Sequence, residues 1–365
     1  MKTIVLLSGH YYNSKRKAGF HFISESLSKT GNNVTFITAV FSIINILRGN
    51  DYRLSYKSFR KNIIFPQKYG NIKSIINLSL MHPLNNCNRY IERFSALLYT
   101  LNFRCIKEIK KADVIIFEST SALLFFKRIK KINPDAKLIY RVSDDLSAIH
   151  SPRIVISLEK KILEDFDYVS VPSLSIYQNK YKYTKRNINI DYHGIDKFLF
   201  DNCNKSPYRD GTINLIFIGT SNLDLQFIDI ASSFFSDYIF HIIGPFKRII
   251  TQKNVIYHGE LDFNETVPFI KNATIGLHTI KCHLNYANTY SDSLKVIQYS
   301  YCQLPIIVPE IMKANHRENF FYYIYDDIDS IRIAIENALK MDRRRINKEG
   351  IYSWDDLAKK LVDPS

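Results

Sequence analysis

The chain has 365 residues, 46% hydrophobic and 13% aromatic, enough to bury two cores and too apolar to be disordered. Its 50 lysines and arginines against 35 acids give a formal charge of +15, which points to acidic partners such as phosphates, nucleic acid or an anionic membrane surface. No basic run is interleaved with aromatics in a nucleic-acid motif, no apolar run approaches the roughly 18 residues of a membrane span, and the five scattered cysteines fit neither a metal spacing nor a disulfide framework. Residues 1–10 have too short an apolar core for a signal peptide and no small-residue cleavage site. They read as a first strand, and the protein is expected in the cytosol.

Residues 3–7 read as a buried strand, 20–30 as a helix with Phe20, Ile23 and Leu27 on one face, and 32–39 as a second strand. This βαβ start has no Gly-x-Gly-x-x-Gly fingerprint. A loop at the carboxyl end of a first parallel strand is where such a domain binds ligand, so Lys15-Arg16-Lys17 is a candidate phosphate contact; a solvated basic loop is the plainer reading. Residues 41–79 are polar, basic and aromatic. They read either as an amphipathic segment lying on a membrane or as a solvent-facing helix over the sheet. One long helix is expected over 88–111, its apolar stripe formed by Ile91, Phe94, Leu97, Leu98, Leu101 and Ile106. Strands at 113–117 and 137–141 flank a helix at 121–131.

The strand at 137–141 runs into Val142-Ser143-Asp144-Asp145-Leu146. Two carboxylates at the end of a buried strand sit where chemistry is placed, and one can take the proton of a sugar hydroxyl as general base. The plainer reading is that Ser143 or Asp144 caps the next helix. Adjacent side chains point in different directions, so only one of Asp144 and Asp145 is expected to be the base. Helices at 154–166 and 173–181 and strands at 168–172 and 188–192 complete this half. His193-Gly194-Ile195-Asp196 and the polar run 201–211 then read as an interdomain linker.

The pattern restarts with strands at 213–220, 238–244, 255–258 and 273–279 and helices at 224–235 and 264–272. Residues 290–309 organise this second half as a short helix and a buried strand. Ser291 is the expected N-cap, with Leu294, Ile297 and Tyr301 on the inward face. Free N–H groups at a helix N-terminus with Lys295 beside them suit a diphosphate, and Gln298 lies next along the same face. The bland alternative is a solvated lysine on an amphipathic helix. Asp327-Ile328-Asp329 spells the Asp-x-Asp of metal-dependent sugar transferases, but it opens the helix at 327–340, where acids favour the dipole. Residues 351–361 form an amphipathic helix with the only tryptophan.

Two α/β halves, the His-Gly-Ile-Asp linker and the Ser353-Trp354-Asp355-Asp356-Leu357 helix resemble the GT-B glycosyltransferases, an α/β class with two Rossmann-like domains facing across a cleft. Ser8-Gly9-His10 with Arg16-Lys17-Ala18-Gly19-Phe20-His21, Arg141-x-Ser143-Asp144-Asp145-Leu146, Gly259-Glu260 and Ser293-Leu294-Lys295-x-x-Gln298-Tyr299 resemble glycosyltransferase family 70, the GumK family of xanthan synthesis, over most of the chain. The resemblance implies an acceptor-binding domain at 1–198, a nucleotide-sugar-binding domain at 199–348, and a terminal helix, 349–365, crossing back to the first domain. It implies an inverting, metal-independent transferase with no cofactor beyond its nucleotide-sugar substrate. Glucuronate would pass from UDP-glucuronate to a polyprenyl-diphosphate-linked oligosaccharide in exopolysaccharide or capsule synthesis, with the enzyme peripheral on the inner face of a bacterial membrane. Carried over by residue, Asp145, slightly ahead of Asp144, is the base. Lys295 and Gln298 hold the donor, Glu260 contacts the nucleoside, and Ser293, Leu294, Leu261, Thr220 and Tyr286 complete the donor site. His10, Lys15, Arg16 and His21 face the acceptor. Lys281 and His283 are candidates for a uronate carboxylate. Retaining relatives pair two glutamates around the clamp helix, where this chain has Ser293 and Tyr301. The alternatives are a GT-B transferase using a UDP-hexose, GDP- or dTDP-sugar, or a non-catalytic nucleotide-binding protein; nucleic acid is not an expected partner.

Overall fold

The computed structural model describes residues 1–49, 51–85, 87–182, 184–185 and 187–363. The chain divides into two compact units. Unit 1 is residues 1–191 with the segment from Trp354, and unit 2 is residues 192–353. The terminal segment expected at 349–365 therefore splits at Trp354, and its last two residues lie outside the described ones.

Unit 1 begins with β1 (Thr3–Ser8), α1 (Gly19–Lys29), β2 (Asn33–Ser42), α2 (Ile43–Arg48) and α3 (Lys57–Ile64). It continues with β3 (Gln67–Tyr69), β4 (Ile72–Ser79), α4 (Arg89–Leu97), α5 (Phe103–Ile109) and β5 (Val114–Glu118). Then come α6 (Phe126–Ile132), β6 (Lys137–Arg141), α7 (Arg153–Ile162), β7 (Tyr168–Val171), α8 (Leu174–Ile176) and β8 (Asn189–Ile190). The sheet order is β3-β4-β2-β1-β5-β6-β7-β8, with only the β3–β4 pair antiparallel. The central strands are continuous apolar runs because helices cover both faces of a parallel sheet. β1 and β5 are buried along almost their whole length. The direction in which strands are added reverses between β1 and β5, which opens a crevice at their carboxyl ends.

Unit 2 repeats the plan. It contains α9 (Lys197–Asp201), β9 (Asn214–Ile218), α10 (Leu225–Phe234), β10 (Ile239–Ile243), β11 (Val255–Gly259) and α11 (Phe263–Asn272). These are followed by β12 (Ile275–Leu277), α12 (Leu294–Tyr301), β13 (Ile306–Pro309), β14 (Phe320–Tyr323) and α13 (Ile328–Lys340). The parallel order is β11-β10-β9-β12-β13-β14, so the reversal lies between β9 and β12. The last helix, α14 (Trp354–Val362), packs on α1 of unit 1, where the Trp354 indole stacks on Phe22 with centroids 4.9 Å apart.

Several elements differ from expectation. Within 41–79, β4 pairs in parallel with β2, and α3 buries Phe59 and Asn62. The strand was hidden because two of its inward positions are polar: Ser74 accepts from Asn62 Nδ2 at 2.7 Å and Asn77 donates to Thr100 O at 3.1 Å. Arg53 turns inward rather than toward a membrane, pairing with Asp51 at 2.6 Å and donating to Val40 O at 2.9 Å. The helix expected at 88–111 is two helices, because Asn102 caps α5 by accepting from Cys105 N at 3.0 Å. Leu101 is buried, but Ile91, Phe94 and Leu97 are exposed. Among the described residues no helix is long and apolar enough to cross a membrane.

Candidate active site

In unit 1 three adjacent strands deliver polar groups to one edge. β1 ends in Ser8, β5 in Glu118, and β6 leads into the Ser143-Asp144-Asp145 loop. The buried Glu118 carboxylate organises them. It accepts from Ser8 Oγ at 2.6 Å, Gly9 N at 2.8 Å and Ser143 Oγ at 3.0 Å, and His10 Nε2 lies 3.7 Å away. Ser119 Oγ accepts from the backbone N–H groups of Ser143 and Asp144 at 2.9 and 3.0 Å, which fixes the loop.

The two aspartates then part company. Asp145 is buried and committed: its Oδ1 is 3.1 Å from Lys180 Nζ and caps Ser147 N at 2.8 Å. Lys180 is shared with Glu159 at 2.7 Å. Asp144 is exposed at the tip of this loop. Desolvation first, then the Glu118 and Asp145 charges, opposed by His10, raise its carboxyl to about 6.

The sequence-picked acceptor residues do not all meet there. His10 does, beside Glu118. His21 does not: it is fully buried, with Nε2 2.9 Å from Tyr11 O and Nδ1 accepting from Ala18 N, and burial lowers it to about 3. It is a structural histidine that closes the N-terminus of α1. Arg16 lies over the Tyr52 ring at 4.5 Å, Lys17 pairs with Glu25 at 3.0 Å, and Lys15 is exposed.

In unit 2 the corresponding edge holds a cation. β9 ends before Gly219 and Thr220, β12 runs into His278 and Thr279, and α12 begins just beyond. Ser293, not Ser291, is the N-cap, because the preceding turn uses its neighbours. Ser291 Oγ donates to Asn288 O at 2.8 Å, and the Asp292 carboxylate is held by Arg317 and by His316 Nε2 at 2.8 Å. The helix lies close on the sheet because Gly276 has no side chain: a Cβ there would sit 2.5 Å from the Tyr299 ring, whose hydroxyl donates to Ile216 O at 3.1 Å.

Lys295 Nζ stands 4.2 Å from the centroid of the Phe217 ring, with no carboxylate partner among the described residues. Burial lowers it to about 7. Nearby buried polar atoms lack protein partners: Ser293 Oγ, Thr279 Oγ1 and His278 Nδ1. His278 Nε2 meets Tyr290 O at 3.0 Å. A cation without a carboxylate partner among the described residues, free helix N–H groups and spare hydroxyls have the chemistry to receive an anion.

Leu294 opens α12, and Gln298 lies one turn further on, buried. Thr220 and Glu260 are exposed at the carboxyl ends of β9 and β11, and Tyr286 is half-buried in the turn before α12. Leu261 instead packs into the core under α11. Lys281 is 3.6 Å from the buried Asp224 and 3.9 Å from Asp326, so its charge is already engaged; His283 is exposed. Asp327 caps α13 by accepting from Ser330 N at 2.7 Å. Glu118 and His278 were missed as site residues. The available signal was position: each is a polar residue terminating a buried apolar strand.

Residues 6–172 match the family model for the N-terminal domain of the glucuronosyltransferase GumK. The chain is 25% identical over 367 residues to the UDP-glucuronate:glycolipid 2-beta-glucuronosyltransferase of Xanthomonas campestris pv. campestris, covering 99% of this chain and 89% of that one. Among solved structures, Anabaena HepE with UDP and glucose superposes with TM-score 0.61 at 12% identity, covering 100% of this chain and 96% of that one. The E. coli trehalose-6-phosphate protein bound with UDP-2-fluoro glucose gives TM-score 0.57 at 12% identity, covering 98% and 95%. At such identities the solved structures speak for the fold, and the Xanthomonas relative for glycosyltransferase activity. The chain is a GT-B glycosyltransferase that resembles GumK.

Proposed function

We propose that the protein transfers glucuronate, with inversion, from UDP-glucuronate to a polyprenyl-diphosphate-linked oligosaccharide at the cytoplasmic face of a bacterial membrane, in exopolysaccharide or capsule synthesis. The observation that carries this is Lys295, a cation held over the Phe217 ring in the first turn of α12 with no carboxylate partner among the described residues. Charge develops on the leaving diphosphate as the glycosidic bond breaks. Lys295 and the N–H groups of α12 stabilise it, in the place a metal takes in Asp-x-Asp enzymes, so no metal or cofactor is required. Ser293, with its unpartnered Oγ, and Thr220 contact phosphate oxygens, and Glu260 contacts the nucleoside. Leu294, Gln298 and Tyr286 line the donor side.

Asp144 is the general base for the acceptor hydroxyl. It is accessible, it has no cation partner as close as the one Lys180 gives Asp145, and its raised carboxyl is matched to proton abstraction near neutral pH. Asp145 holds the loop through Lys180. Glu118 positions the loop and tunes Asp144, and His10 flanks the acceptor.

The test is a thermal-shift panel of UDP, UDP-glucuronate, UDP-glucose, GDP-mannose and dTDP in EDTA, on wild type and Lys295→Ala. A ligand of the native state raises the melting temperature. The uridine ligands are expected to stabilise wild type and not the variant, with UDP-glucuronate ahead of UDP-glucose. No uridine response would overturn the donor assignment, and a response that needs metal would overturn the clamp.

A further inference from the structure

In three helices of unit 2 an aspartate caps its own helix. Asp196, Asp224 and Asp327 accept from the third N–H of α9, α10 and α13 at 2.9, 3.3 and 2.7 Å. α12 is built differently. Its N-cap, Ser293, makes no side-chain cap bond, and Ser293 Oγ has no partner among the described residues. Asp292, one residue earlier, has a fully buried side chain that is turned to the segment before β14. Its Oδ1 accepts from Arg317 Nε at 2.9 Å, from a terminal nitrogen of the same guanidinium, and from His316 Nε2 at 2.8 Å. Arg317 is fixed in turn, its guanidinium 5.3 Å from the centroid of the Tyr192 ring.

The arrangement matters because of what Asp292 would otherwise do. It stands three residues before Lys295, a spacing at which an acid and a base at a helix start can pair. It also lies beside the free N–H groups of α12, which draw a carboxylate as they draw a phosphate. Released, Asp292 would supply the anion from within. Held, it leaves Lys295 over the Phe217 ring with no carboxylate partner among the described residues. The other titratable groups here do not take that part. Burial and then the Lys295 charge keep His278 neutral, and burial and then the Asp292 charge push the Tyr192 phenol up.

We propose that Arg317, with His316, is a positioning residue of the donor site: it holds the Asp292 carboxylate out of the first turn of α12, so that Lys295 and the helix N–H groups stay available to a bound diphosphate. The planar guanidinium sends two N–H groups to one carboxylate oxygen, a grip that a lysine does not reproduce. Removing Arg317 then acts through charge in two ways. Asp292 pairs with Lys295 and stabilises its ammonium form, and it competes with the diphosphate for the same donors. The inference rests on the diphosphate reading of α12 for its meaning in the reaction, and on the ion cluster for its geometry.

The test is the titration of Lys295 in the ligand-free full chain, followed by NMR of isotope-labelled lysine and assigned with Lys295→Met. In Arg317→Gln the midpoint is expected to rise from about 7 by about one pH unit or more. In Asp292→Asn, and in Asp292→Asn combined with Arg317→Gln, it should stay near 7, since no carboxylate is left to release. UDP affinity by calorimetry should fall at least about tenfold in Arg317→Gln and return in the double variant. An unchanged midpoint in Arg317→Gln would overturn the assignment. So would a double variant that stays as far from wild type as Arg317→Gln does, because Arg317 would then act by shaping the turn. A midpoint that drops by about one pH unit in Asp292→Asn would overturn it as well, since Asp292 would already be the counter-charge of Lys295; this variant decides the matter even if Arg317→Gln does not fold. The titration needs no ligand, so it judges Arg317 even where UDP does not bind, and the two proposals fail separately.

Discussion

Lys295 and Asp144 are both shifted toward their neutral forms, with desolvation the first cause in each and nearby charges a further cause only for Asp144. Lys295 has lost water and gained an aromatic face, and burial alone takes it to about 7. Asp144 is also desolvated, but Glu118 and Asp145 crowd it as well, and together they bring it to about 6. Among the described residues Lys295 has no counter-charge, which on the proposed reading a bound diphosphate would bring. The aspartate site is tuned from within by its neighbours. The first should therefore respond to what binds, and the second to what surrounds it.

The largest effect expected is on the aspartate side. Asp144→Asn should lower kcat/KM by roughly 10²–10⁴-fold in a sugar-transfer assay, the usual worth of a general base. Asp145→Asn should cost mainly thermal stability through Lys180. Equal losses of kcat in both would erase the distinction between them.

Next comes the pH dependence of UDP binding. A bound diphosphate needs the ammonium form, so affinity measured by calorimetry should fall as pH rises above about 7, at most about tenfold per pH unit, and Lys295→Met should flatten the slope. The free protein should behave oppositely. Between about 7 and 10.5 the unfolded lysine keeps a proton that the folded one has released, so stability rises with pH in that window. A UDP affinity that rises with pH would show that another group answers the diphosphate.

The smallest effect is the sharpest test of tuning. The base form of Asp144 is lost as pH falls through about 6, which sets the acid limb of kcat/KM. Glu118→Gln removes the second cause of that elevation and should move the limb to lower pH. An unmoved limb would leave desolvation and the Asp145 charge as the causes of the elevation.

Much of this architecture was legible in the chain. Buried parallel strands are continuous apolar runs, and β1, β5, β9 and β13 stand out in the sequence for that reason. The positions of Asp144 and Lys295, one after a strand and one in a first helical turn, were equally readable. β4 was not, because its buried Ser74 and Asn77 are satisfied by partners distant in sequence. Nor was the role of His21, whose imidazole is consumed by Tyr11 and Ala18.

α4 and α12 mark the boundary between the two kinds of information. Both are short helices with one apolar face. In α12 that face lies on the sheet, with Val296 and Ile297 in the core. In α4 it points away, because Glu92 and Ser95 take the inward side. Local sequence determined that each segment is an amphipathic helix, since periodicity is a property of neighbouring residues. Which face meets protein was decided by the tertiary structure, because it depends on hydrogen-bond partners, Ile154 N and Leu84 N, that only folding brings within reach. The same holds for the aspartates: their spacing marked the pair, and Lys180 and Glu118 set them apart.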